Sequence, residues 1–116
     1  MRLATFTLFG FIMICPVCAF PQTTLWDVAP INKGLFNIGI AHGIRKNCTS
    51  IKANTLVGIT YVWKLIGHAT DAGFTIKETR KFIDNDAEKE ILRSRVNKYF
   101  LSLGLNPKKS NSLCDL

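Results

Sequence analysis

Histidine is nearly missing from this chain: His42 and His68 are the only two in 116 residues. A zinc centre takes three or four ligands at recognisable spacing, and two distant histidines without an H-E-x-x-H run do not supply one. They remain a candidate pair for a small metal-dependent enzyme, because they could meet across two antiparallel helices. A partly exposed structural pair is the simpler use, so no metal ligand is assigned. Serine elbows of the G-x-S-x-G type and phosphate-cradling glycine loops are also lacking. Acids are scarce, 8 Asp/Glu against 15 Lys/Arg, and Asp84, Asp86, Glu88 and Glu90 crowd together. Paired carboxylates can hydrolyse glycosides, but acids at a helix start serve more simply as caps and dipole partners. No stretch alternates long enough for a strand, and no internal repeat occurs. The expectation is a non-enzyme with no catalytic residue and no cofactor.

What is present begins with a leader. Met1-Arg2 is short and basic, Leu3 to Cys15 is an uncharged apolar run, and Pro16 breaks it. Val17-Cys18-Ala19 places small residues at the −3 and −1 positions of a signal-peptidase cut, so residues 1–19 read as a signal peptide cleaved between Ala19 and Phe20. The rival is an uncleaved anchor, for which the apolar core is short against a span of about 20 residues. Cys15-Pro16-Val17-Cys18 has redox spacing, yet a lowered thiol pKa needs a folded helix terminus that a removed leader lacks. Export predicts a periplasmic or secreted protein with no transmembrane segment after cleavage. Loss of Arg2 lowers the formal charge from +7 to +6. An exported cation meets acidic proteins or anionic envelope surfaces instead of nucleic acid. The charges look spread along the chain, which also suits simple solubility.

Residues 20–30 hold two prolines and no helical period, and read as an extended arm in which Leu25, Trp26 and Val28 anchor against the body. Residues 31–116 then form a single domain. A first helix is expected from Ile31 to Lys46, entered through Pro30. It carries two apolar rows, Ile31-Leu35-Ile38 and Phe36-Ile40-Ile44. Gly34, Gly39 and Gly43 each cost about 1 kcal/mol of helix propensity, and close approach of neighbouring helices would compensate. A second helix, capped by Thr49 or Ser50 and reaching Ala72, is apolar nearly all round and reads as the central core helix. Lys52, Lys64 and His68 leave too short an uncharged run for a membrane span. Gly73 stops it. Thr75 and Glu78 form a capping box for a short third helix, Ile76 to Ile83, burying Ile76, Phe82 and Ile83. Asn85 with Glu88 caps a fourth helix, Asp86 to Leu103, in which Leu92, Val96, Tyr99, Phe100 and Leu103 share a face and Gly104 is the stop. The fold class is all-α: a bundle of about four helices with one disulfide behind a signal peptide.

Cys48 and Cys114 remain once the leader is gone. Two cysteines in an exported chain pair as one structural disulfide; a reactive thiol pair or an intermolecular bridge is the alternative. Asn47-Cys48-Thr49 also matches the N-glycosylation pattern.

The ordered set Ile31-Asn32-Lys33-Gly34-Leu35, Ile44 through Ile51, Ala72-Gly73-Phe74-Thr75 with Glu78, Asp86-Ala87-Glu88-Lys89, Tyr99-Phe100, Gly104 and Leu113-Cys114 resembles a family of small secreted alphaproteobacterial proteins described only as a domain of unknown function. The likeness spans residues 31–114. It implies a helical exported protein with a disulfide, both cysteines falling on marked positions, and it carries over no activity. That family pattern continues past its second cysteine with another helical segment, whereas this chain ends at Leu116, which implies a truncated terminus or a dispensable last helix. The function expected is binding or interaction with a periplasmic protein or envelope surface. An inhibitor or immunity-type protein of a secreted enzyme is the alternative, and the histidine-based metalloenzyme a less favoured one. Pairing of Cys48 with Cys114 is the one site expectation with a definite chemical outcome.

Overall fold

The computed structural model describes residues 24–116. The leader, the cleavage site at Ala19 and Phe20, and Cys15 and Cys18 therefore lie outside the described residues. A 3-10 turn at Leu25–Asp27 leads into four helices: α1 (Ala29–Asn47), α2 (Thr55–Asp71), α3 (Ile76–Asp84) and α4 (Asp86–Ser102). No strand occurs among the described residues. The all-α reading holds, with a different helix at its centre.

That centre is α1, because its two apolar rows serve two separate cores. Ile31 and Leu35 are buried with Leu25, Leu65 and Ala69, and Ile38 packs against that group. Phe36, Ile40 and Ile44 pack instead on Val96, Phe100 and Leu113. The glycines make both approaches close. A Cβ on Gly34 would lie 2.2 Å from Leu65 of α2, and one on Gly43 would lie 2.8 Å from the Phe100 ring of α4. Successive contacts, Gly39 with Val96 and Gly43 with Phe100, advance the same way along both helices, so α1 and α4 run parallel. Gly34 beside Leu65 and Asn37 beside Tyr61 advance oppositely, so α2 is antiparallel to α1.

The helix ends follow local chemistry. Gly73 and Gly104 take φ of +94° and +76°, where a Cβ would be strained. Each sits in a Schellman stop. Phe74 N–H reaches Ala69 C=O and Leu105 N–H reaches Phe100 C=O, both at 3.0 Å. The capping box at α3 forms: Thr75 Oγ1 accepts from Glu78 N–H at 3.1 Å and Glu78 Oε2 accepts from Thr75 N–H at 2.8 Å. These bonds hold the Glu78 carboxyl below its ordinary value, the Thr75 backbone donor contributing most.

Several expectations need correction. The arm is not wholly extended, since Thr24 and Asp27 close a small capping box around the 3-10 turn. Neither Thr49 nor Ser50 caps α2. Cys48 is drawn toward Cys114, the chain runs without regular structure from Ile51 to Asn54, and Asn54 Oδ1 accepts from Val57 N–H at 3.2 Å as the actual cap. Asn85 caps α4 alone, accepting from Ala87 and Glu88 N–H, because the Glu88 carboxylate turns away to Trp26. In α3 the buried residue is Thr79, while Ile76 is 48% exposed. In α4, Val96 and Phe100 are buried, but Tyr99 and Leu103 lie at the surface.

The largest correction concerns α2. Only Leu65, Ile66 and Ala69, all in its second half, are buried. Leu56 is 78% exposed, Val57 62% and Trp63 56%. The first two turns carry no buried residue; Arg45, Arg80 and Ile83 only border a hollow beside Gly58 and Ile59.

Candidate ligand groove and the open half of α2

Both ends of the α1–α4 pair are clasped. At the start, Trp26 stacks edge-on against Phe82 with ring centroids 5.3 Å apart. Its Nε1–H donates to Glu88 Oε2, and its carbonyl accepts from Asn32 Nδ2 at 2.8 Å. Arg95 lies over the indole at 5.2 Å and donates to Asn32 Oδ1. From Thr24 onward the arm is thus part of the body and is not a free docking segment.

At the far end, the C-terminal loop returns to the corner after α1. Cys48 and Cys114 are joined in a disulfide, and Cys48 and Leu113 are fully buried. Asn47 is the hub of this corner. Its Nδ2 donates to Lys109 C=O at 2.7 Å and Pro107 C=O at 3.0 Å, and its Oδ1 accepts from Leu113 N–H at 2.9 Å. Its own carbonyl accepts from Asn111 N–H at 3.0 Å, and Asn111 takes the left-handed φ of 58°. A glycan on Asn47 Nδ2 would replace one of the two N–H donors that bind Pro107 and Lys109, so the N-glycosylation pattern has a structural use here.

Between the clasps, α2 and α4 flank α1 on two sides, and the three helices line a groove of about 740 Å³. Its floor is one stripe of α1: Leu35, Ile38, Gly39, His42 and Gly43. Val62 and Leu65 form one wall, Leu92 and Val96 the other, and Phe82 and Ile83 close it toward α3. The rim carries Lys46, Lys89, Arg93 and Lys108 against a single acid, Glu88. Glu88 is engaged with Trp26, Lys89 pairs with Asp86 at 3.6 Å, and Arg93 pairs with Glu90. Lys46 and Lys108 form no ion pair among the described residues. Ligand pockets run about 300–1,000 Å³ with mostly apolar walls and a few polar groups, and this groove fits that description.

The two histidines do not come together. His42 stands on the groove floor. Given the antiparallel pairing of Gly34 with Leu65, His68 lies level with the start of α1, about 16 Å along the axis from His42 at 1.5 Å per residue. No group of three or more metal-ligating side chains occurs among the described residues. The acids Asp86, Glu88 and Glu90 are each tied to a structural partner.

One signal was missed in the sequence. Every residue from Val28 to Thr70 is non-acidic, while Lys33, Arg45, Lys46, Lys52 and Lys64 fall inside that run. The charges are therefore segregated, not spread. Lys33, Arg45 and Lys46 lie on α1, which also carries the groove floor. Lys64 lies on α2, which carries the exposed apolar half-helix, and Lys52 lies in the linker between them.

These features define a disulfide-tied all-α protein built on a central helix, with a basic-rimmed apolar groove. Residues 23–116 match the model of a family of unknown function (DUF5333), and the chain belongs to that family. No curated protein and no solved structure matches the chain.

Proposed function

We propose that this is a non-enzymatic binding protein of the periplasm or the secreted space, and that its ligand site is the groove floored by α1. The observation that carries the reading is the groove itself: an open, apolar-walled space of about 740 Å³ in the middle of a small protein. The groove opens to solvent between the two clasps, so a ligand can reach its apolar floor without the helices parting. Its walls offer apolar contact and its rim offers positive charge, which suits an apolar ligand with an anionic group. The exported location rests on the leader, and an isolated protein whose N-terminus is Phe20 tests it.

The groove is tested with an anionic apolar dye, 1-anilinonaphthalene-8-sulfonate, titrated into the purified protein. Saturable binding is expected, at least ten-fold weaker in His42→Trp, which fills the floor from an exposed position. Leu56→Glu, outside the groove, should leave binding unchanged. Binding that ignores His42→Trp, or follows Leu56→Glu instead, refutes this site.

A further inference from the structure

The first half of α2 is built for a partner. Leu56, Ile59 and Trp63 recur at i, i+3 and i+7 and share one face of the helix, where neighbours at this spacing line up. Val57 flanks them, and Ile51 in the preceding linker is 39% exposed. The helix turns Leu65, Ile66 and Ala69 to the body. A contiguous apolar surface of this kind on a small protein marks a contact site.

The surrounding charge selects the occupant. Lys52 and Lys64 flank the apolar face in sequence, Arg45 and Lys46 end the helix before it, and no acid lies between Asp27 and Asp71. The hollow beside Ile59 and Trp63 sets Arg80 near the same Arg45, with Asp84 its one acid. A second copy of the chain would bring these cations against their own kind. An anionic bilayer answers both the apolar face and the charge. Tryptophan beside aliphatic side chains, with lysines at the flanks, is the side-chain set of a helix resting at a lipid interface. No helix among the described residues is long and apolar enough to cross a membrane, which leaves surface attachment as the geometry.

We infer that the N-terminal half of α2 docks the protein onto an anionic lipid bilayer. Leu56, Ile59 and Trp63 enter the acyl boundary, and Lys52 and Lys64 meet the phosphate head groups. This attachment stands apart from the groove reading, since its residues do not line the groove.

The test is co-sedimentation of the purified disulfide-bonded protein with vesicles of phosphatidylglycerol and phosphatidylcholine in equal parts, against vesicles of phosphatidylcholine alone. Binding at least ten-fold stronger to the anionic vesicles is expected, with a blue shift of tryptophan fluorescence that Trp63→Phe removes. Leu56→Glu and the pair Lys52→Glu, Lys64→Glu should each weaken binding at least ten-fold while the helical circular dichroism stays unchanged. Four results overturn the inference: no binding to anionic vesicles, equal binding to neutral ones, binding indifferent to the α2 substitutions, or a dimer that Leu56→Glu dissolves. Loss of dye binding in His42→Trp with vesicle binding intact would leave the inference standing.

Discussion

The corner at Asn47 and Cys48 and the first turns of α2 are separated by a few residues, yet they are opposite kinds of surface. At the corner every strong donor and acceptor of the Asn47 side chain is used, Leu113 is sealed, and a covalent bond adds to the packing. Eight residues after Cys48, Leu56 is 78% exposed with no body element over it. The difference teaches that composition and burial are separate properties. Asn47 is polar and locked in, whereas α2 is the more apolar element and is left open. The corner adds a covalent tie to the two buried cores, and the open half-helix is free to meet something else.

The comparison breaks first at the disulfide. Closing a loop of 66 residues restricts the unfolded chain by about 4 kcal/mol on the loop-entropy estimate. Cys48→Ser with Cys114→Ser is expected to lose that amount in urea unfolding and to release the C-terminal loop in hydrogen exchange. The exchange of Leu56 to Trp63 amides should change little beyond the global loss. A smaller loss follows from crowding the α1–α4 contact. A Cβ on Gly43 meets the ring of Phe100, which is fully buried and cannot swing away. Gly43→Ala recovers helix propensity of about 1 kcal/mol but overpacks the core at a cost of roughly 1–3 kcal/mol. A net destabilisation is expected, read from the denaturation midpoint. A more stable Gly43→Ala protein would show that α1 and α4 are not in close contact.

How much of this was legible beforehand depended on range. The Thr75–Glu78 box, the stops at Gly73 and Gly104, and Pro30 in the first turn are local signals, and all were read correctly from a few residues each. The two rows of α1 were visible as a broad apolar face. Their division between two cores was not, because it depends on where α2 and α4 lie. Asn47 passed for a glycosylation pattern since its partners, Pro107, Lys109 and Leu113, are 60 to 66 residues away. The misreading of α2 has the same origin. Apolar residues around a whole helix state what water disfavours, but not whether the chain has enough mass to cover them. The acid-free run from Val28 to Thr70 points to the same surface, because it is the position of the acids, not their number, that marks it.

The central claim is that the first half of α2 contributes surface and not core. The direct measurement is the unfolding free energy of the double variant Leu56→Ser, Trp63→Ser by urea titration. Exposed positions away from packed features shift stability by about 0.5 kcal/mol or less, and that is the expected result. A loss approaching the roughly 2–5 kcal/mol typical of truncating large buried side chains would place these residues in the core and contradict the account.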